Sequence, residues 1–475
     1  MRLYCVMFSF LLMHSAWVSG KELPDTYDEV PGSENVEREE PDISSDTVDS
    51  EEPDSVAPDN ILTVDAQLMS RGEIRRGGLP SVDDVSEKRA NFVLERTRLS
   101  IDYKREWLNV RLTAQHTSVW GQKGNGTLTM HEAWARLHSR QGLFLQLGRQ
   151  NLNYDDERIL GSNDWSMTAL THDALRFGYE GYGHKIHGVL AYNQRAENIN
   201  GGTTYTTTDG TQPYKTMQTL WYHYDLPRFP LSFSLLFMNT GVEMSASDAI
   251  TTEETSDPET YYQQLFGGYV AFHPSDWLCE GALYFQRGKD EFGTPISAYM
   301  GSLKATYRRQ GCFSLNMGYD YLSGDDNPVV PKIGAMGLTL HKKVRGFSTI
   351  YGSHHQFYGA MDFFYLKAYY AGYTPGLQNL FIGGTYNPMK NLQLSASYHY
   401  LSVASKIHDA CMTLGHEVDF TIAYNLMKEV KFSAGYTYMH GTSTLERLQR
   451  VENQNNLHWA WLMVTVNPRI FSTKW

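Results

Sequence analysis

The sequence predicts an all-β chain: a transmembrane antiparallel β-barrel of eighteen strands, with short periplasmic turns and long extracellular loops. Three observations lead there. Beyond residue 20 no apolar run approaches the roughly 20 residues that a spanning helix needs, although the N-terminus reads as an export signal. Apolar and polar residues instead alternate with period two, segment after segment. The connections between these segments alternate short and long, as they do when a barrel keeps turns on one side of a membrane and loops on the other.

The chain divides into three parts. Residues 1–20 carry Arg2, an apolar run and small residues before Lys21, which is the pattern of a secretory signal peptide. The run is short and interrupted by His14, which argues against a membrane anchor, and Cys5 lies too early for a lipid-attached cysteine. Residues 21–60 hold 15 acidic residues against Lys21 and Arg38, with five prolines between Pro24 and Pro58. Such a segment cannot bury enough surface to fold and reads as a disordered periplasmic leader. It also carries the whole formal charge of −12, because residues 61–475 contain 38 residues of each sign. Those residues form the barrel.

Composition agrees with that division. There are 31 Tyr and 40 Gly, and aromatics reach 13%, yet mean hydropathy is only −0.43. Interfacial aromatic girdles and half-apolar strands produce such numbers. Only Cys279, Cys312 and Cys411 follow the signal peptide, too few and too scattered for a disulfide scaffold or a zinc site. No metal, cofactor or nucleic-acid partner is expected. The surroundings implied are outer-membrane lipid and lipopolysaccharide.

Each strand has its own justification. In "TRLSIDY" Leu99, Ile101 and Tyr103 face one way and Arg98, Ser100 and Asp102 the other; "LNVRLTAQ" repeats this from Leu108. The same alternation recurs in "KIHGVLAYN", "LSFSLLFMN", "SLKATYR", "LQLSASYHY", "VDFTIAYN" and "VKFSAGYTYM". Strands are expected near 61–72, 92–103, 107–116, 130–138, 143–150, 171–180, 184–193, 215–225, 231–239, 261–272, 277–287, 296–308, 312–322, 377–386, 391–401, 415–425, 430–440 and 456–467. Short links such as "KRE", "GYG" and "HPSD" alternate with long ones such as 323–375.

Closure pairs every backbone amide where lipid offers none a partner, so the apolar set faces lipid and the polar set the lumen. Parity assigns Asp65, Arg71, Arg96, Arg98, Asp102, Arg111, Glu132, Arg136, Asp173, Arg176, Lys185, Lys304, Arg308, Glu417 and Asp419 to a lumen that is polar and wet, not a packed core.

"LERTRLSIDY", then "LQLGRQNLNYDDERILGSNDW", then "THDALRFGY" resembles the alginate-export family of outer-membrane β-barrels. "YLSGDDN" followed by "FYGAMDFF" is similar to that family's large central loop, and the likeness extends over about 61–467. The resemblance implies an arginine-rich constriction through which an acidic exopolysaccharide leaves the cell. It carries over Arg98, Arg149, Arg158 and Arg176, with Asp155, Asp156, Glu157 and Asp173 as carboxylate partners. Arg149 poses a conflict, since it shares parity with Leu143, Leu145 and Leu147; either Gly148 breaks the register or Arg149 sits at the rim.

A uronate polymer carries one carboxylate per sugar, and the planar guanidinium meets a carboxylate with two hydrogen bonds. Interleaved acids keep the passage from binding too tightly. Trp165 and Tyr154 offer sugar-stacking faces or loop packing. The acidic leader lies outside the family pattern, so alginate itself does not follow as cargo. A porin importing small solutes is the alternative, and periplasmic export components are further partners of the first reading. An enzyme is not expected: no G-x-S-x-G element occurs, and the "YDDER" acids lack a positioned histidine.

Overall fold

The computed structural model describes residues 60–76, 89–124, 126–194, 197, 205, 214–243, 259–291, 293–309, 311–325, 343–362, 374–407, 409–449 and 456–475. The signal peptide and all of the acidic leader but Asn60 lie outside the described residues.

The strands are β1 Ile61–Arg76, β2 Ala90–Arg105, β3 Leu108–Val119, β4 Thr127–His138, β5 Leu143–Gln150, β6 His172–Gly181, β7 His184–Tyr192, β8 Thr216–Asp225, β9 Leu231–Glu243, β10 Thr260–Phe272, β11 Trp277–Lys289, β12 Pro295–Arg309, β13 Phe313–Leu322, β14 Leu377–Met389, β15 Leu392–Ser402, β16 Thr413–Met427, β17 Val430–Gly441, β18 Asn456–Val466 and β19 Arg469–Lys474. Each predicted segment overlaps one of the first eighteen. The last two are one strand broken at Pro468, because both pair with β1: Leu68–Arg76 against β18 and Ile61–Asp65 against β19. Proline has no N–H to give the ladder, and its carbonyl still accepts from Ala66 N at 3.0 Å.

With β18 and β19 taken as one strand, every strand pairs antiparallel with its sequence neighbours, and β1 closes on the last, so the sheet is a barrel without an edge. Hydrocarbon offers backbone groups no partner, which makes closure obligatory. Among the described residues no helix is long and apolar enough to cross a membrane; the strands do the crossing. Turns are tight on one side. Between β6 and β7, Tyr182 and Gly183 both hold positive φ (53° and 80°), the two-residue turn whose twist matches a hairpin.

The faces separate as parity requires. Leu99, Ile101, Leu112, Leu235, Phe237, Leu283, Leu303, Ile382 and Leu462 are exposed outward. Trp107, Tyr182, Phe229 and Trp277 ring the turn side, where interfacial aromatics belong.

The inward face departs from the expectation of a wholly wet lumen. On the long-loop half, Leu236, Met238, Leu265, Met300, Leu322, Leu401, Met439 and Trp459 are buried in one apolar core. Strand alternation alone could not reveal this, because the partners of these side chains come from loops folded into the barrel. On the turn half the inward residues stay polar, as with Ser232, Ser234, Thr306, Asp419 and Ser433.

Candidate functional site

Two of those loops decide what the lumen is. The third long loop, L3 (151–171), leaves β5 and turns inward on left-handed residues: Asp155, Glu157, Asn163 and Ala169 have φ between 45° and 60°. Asp and Asn tolerate that region better than other side chains. Leu152, Tyr154, Ile159 and Leu160 are buried and join the lumen core. Asp155 accepts hydrogen bonds from Trp221 Nε1 on β8 (3.1 Å) and Tyr284 OH on β11 (3.3 Å). Burial pushes its carboxyl up to about 6, against hydrogen bonds from Ser234 and Trp221 that act to lower it. Nine residues later Asp164 reaches β2, so L3 crosses the lumen from one wall to the other.

The seventh long loop, L7, is described at 323–325, 343–362 and 374–376, and its middle part lies along L3. Gly161 N donates to Tyr351 O (2.9 Å), Tyr351 N to Ile159 O (3.2 Å), and Ser353 N to Glu157 O (2.9 Å). The approach is close: a Cβ on Gly352 would stand 2.2 Å from the Arg158 carbonyl oxygen, so only glycine fits. Ser353 Oγ donates to Glu157, whose carboxyl burial raises. L7 reaches the wall through Met361 N, which donates to Glu417 on β16 (3.0 Å), and through Gln286 on β11, which exchanges two hydrogen bonds with Ser348.

Arg158 joins loop to loop and both to the wall. Its Nε meets Asp156 (3.1 Å), its Nη1 meets Asp320 on β13 (2.9 Å) and Tyr358 OH on L7 (3.0 Å), and its carbon lies 4.2 Å over Phe357. Burial alone would lower this guanidinium; Asp320, Tyr358 and Asp156 outweigh it and hold it well above the ordinary arginine range. Its side chain is 3% exposed. Arg158, Asp156 and Glu157 therefore hold the constriction together, with the guanidinium neutralised where it stands.

The opposite wall is a strip of inward arginines on β1 to β4 and β6. Arg71 donates to Glu73 (2.8 Å) and to Trp165 O (2.9 Å). Arg96 is held by Gln67 and by Asp164, and Arg98 by Gln115 (2.7 Å) and Asp164 (2.7 Å). Lower down, Arg111 pairs with Asp102 (2.7 Å) and Glu132 (3.4 Å), and Arg136 with Glu180 (3.0 Å). Arg176 projects inward, 5.5 Å over Phe144. Wall carboxylates and amides thus fix most of these guanidiniums in place.

Arg149 and Asp173 are a correction. Their mutual pairing is regular, with no shift in the β4–β5 or β5–β6 register, so Gly148 does not turn Arg149 inward. Inward positions are Gln146 and Gln150 on β5 and His172, Ala174 and Arg176 on β6, which leaves Arg149 and Asp173 on the outer face at the loop-side rim. There they form a two-pronged pair, 2.7 Å on each prong. Asp173 and Arg176, three residues apart in one strand, cannot share a face. Tyr154 and Trp165 are loop packing: Tyr154 lies 4.8 Å from Trp221, and Trp165 stacks at 4.1 Å on His355 with Arg71 over its ring. Sequence reasoning did not name Asp164, Gln67 or Asp320 as site residues, and it placed Gln115 only in the alternating polar set of its strand. Gln67 and Asp320 carry the same period-two signal, Asp320 being polar between outward Tyr319 and Tyr321 on β13.

A family model described as alginate export matches residues 111–419, well over half of the 475-residue chain. The chain belongs to the alginate export family. A search of curated proteins finds no match. Among solved structures this alginate-export barrel is similar to Pseudomonas aeruginosa OccK2 (OpdF), with TM-score 0.56, 12% identity, and coverage of 86% of this chain and 98% of that one. OccK2 (OpdF) in complex with glucuronate aligns with TM-score 0.54 and 12% identity, over 86% and 98% of the two chains. Pseudomonas aeruginosa OpdO aligns with TM-score 0.55 and 13% identity, again over 86% and 98%. At such identities the likeness is one of fold. With the family it makes this chain an outer-membrane channel of a bacterial cell.

Proposed function

We propose that the channel exports an acidic polysaccharide or related oligosaccharide, passing its carboxylates along the inward arginines Arg71, Arg96, Arg98, Arg111, Arg136 and Arg176. The supporting observation is that these guanidiniums line one side of the wall, on β1 to β4 and β6, and that all but Arg176 are held there by wall carboxylates and amides. Prepositioned planar forks lower the cost of stripping water from each uronate carboxylate. The interleaved Glu73, Asp102, Glu132 and Glu180 keep any one site weak enough to release its charge. Arg158, Asp155, Asp156 and Glu157 serve the passage by positioning L3. Direction rests on the family description, and periplasmic components that deliver the polymer belong to the same proposal. Outer-membrane lipid and lipopolysaccharide would surround the apolar band.

A small-solute porin is the second reading. The dry core that L3 and L7 build in the loop-side half favours it, because a monosaccharide needs less room than a polymer.

Planar-bilayer recordings test both. Polyuronate, glucuronate and glucose are added in turn to each side of the full-length channel. Block by polyuronate from the turn side supports export; passage of glucuronate without polyuronate block supports the porin. No preference for acid over neutral sugar refutes the arginine reading in either form. Arg98→Gln should weaken block by glucuronate roughly tenfold, the worth of a charge-assisted hydrogen bond. Arg149→Gln, on the outer face, should leave it unchanged.

A further inference from the structure

The most exposed charge of the constriction is an acid. Asp164 stands on L3 with its side chain 50% exposed, while the two guanidiniums it bridges are nearly covered, Arg96 at 1% and Arg98 at 12%. Its Oδ2 accepts from Arg96 Nη2 at 3.1 Å and its Oδ1 from Arg98 Nη1 at 2.7 Å. Arg98 Nη2 is buried with no hydrogen-bond partner among the described residues. One carboxylate is therefore spread over two guanidiniums, and it leaves one donor of Arg98 unused.

The rest of each arginine is fixed independently of the Asp164 carboxylate. Gln67 Oε1 accepts from Arg96 Nε and Nη2, and the carbonyls of Asp164 and Ser166 accept from its Nη1. Gln115 Oε1 accepts from Arg98 Nε, and Gln115 is itself tied to Thr168 O. The L3 turn is pinned behind Asp164 by Asn163 N donating to Ser353 Oγ at 2.8 Å. The Asp164 side chain can swing off while its backbone and both guanidiniums stay in place.

We propose that Asp164 is a resident carboxylate that occupies the Arg96–Arg98 pair in the empty channel and exchanges with the carboxylate of a passing uronate. The inference rests on the acidic-saccharide reading above and specifies how one pair of its arginines is regulated. Exchange of one carboxylate for another leaves the number of paired charges constant, so the solute neither enters an unscreened positive site nor stays trapped in it. Asp164 lowers apparent affinity by the fraction of time the pair is free, and it sets specificity, since a neutral sugar has nothing with which to replace it.

The test uses full-length channels in planar bilayers, with glucuronate and glucose as probes, in wild type, Asp164→Asn, Asp164→Ala and Asp164→Glu. Heat-modifiable gel mobility verifies assembly of each. The neutral substitutions should tighten block by glucuronate about tenfold or more and lengthen its dwell time. Block by glucose should not change, and Asp164→Glu should return toward wild type. A loop that was merely loosened would move both sugars together and would not respond to restoring the charge. Unchanged or weakened glucuronate block in both neutral variants overturns the proposal. Failure of the wild-type channel to distinguish glucuronate from glucose is a separate result, and it removes the acidic-saccharide reading itself.

Discussion

Replacing Arg158 by alanine tests whether the constriction is a docked structure or a free charge in the pore. The guanidinium is 3% exposed and contacts Asp156, Asp320 and Tyr358 within 3.1 Å. Its removal leaves Asp320, 1% exposed, with Ser302 and Asn379 as donors but no countercharge. Breaking one side of a buried ion pair costs about 3–5 kcal/mol, which shifts an equilibrium by roughly 10² to several times 10³. The strand ladder does not run through Arg158, so this cost falls on the docking of L3 and L7. Arg158→Ala should therefore leave the barrel assembled while single-channel conductance and current noise rise. Adding Asp320→Asn removes the stranded carboxylate and should recover part of the loss. Conductance is read in planar bilayers, and barrel integrity by gel mobility against urea. Unchanged conductance and noise in Arg158→Ala would refute the clamp, and a simple shift of reversal potential would show that the charge faces the pore instead.

Leu235 is exposed on the outer face near mid-strand, so Leu235→Arg should cost about 2–4 kcal/mol in a denaturant titration of the inserted barrel. Ser234, its inward neighbour, is 1% exposed and bonded to His223, so Ser234→Arg should disturb L3 docking and raise channel noise, whereas an untouched channel would mean the lumen there is open. Asp155 provides a pH test. Its docked carboxyl is raised to about 6, above the ordinary value of 3.8 that it regains when L3 swings out. The neutral form favours docking, so docking is strongest below about pH 4 and weakens as pH rises through 6. Open-channel noise should increase across that window in wild type and lose its pH dependence in Asp155→Asn; equal slopes in both would exclude Asp155 as the source.

Particular residues show how far a sequence of this kind can be read. Period-two alternation placed Arg96, Arg98, Arg111 and Arg136 on the lumen side, because in a closed sheet parity is the only variable that assigns a face. Asp173 and Arg176 were both assigned to the lumen, by the strand reading and by the motif alike, yet residues three apart in one strand cannot share a face: Arg176 points inward and Asp173 outward. Gly148 invited the idea of a broken register, yet the β5 ladder runs through it at φ 123° without a slip. Loop geometry was not legible. Nothing in "YDDERILGSNDW" states that Asp155 meets β8 and β11 while Asp164 meets β2, since those partners lie 66 or more residues away along the chain.

Sequence by itself determined the topology: the strands, their order, which side carries the turns, and which residues face hydrocarbon. Lipid imposes that much, because it admits only a closed ladder with apolar side chains outside. Tertiary structure alone decided what fills the lumen. L3 and L7 bring Leu160, Tyr351 and Tyr358 against the inward Met238, Met300 and Met439, and so turn half of a polar passage into a dry core. The same docking converts Arg158 from a candidate pore charge into a clamp and sets Asp164 over Arg96 and Arg98. These outcomes depend on contacts between loops and distant strands, whose energies come from burial and charge pairing that no local pattern encodes.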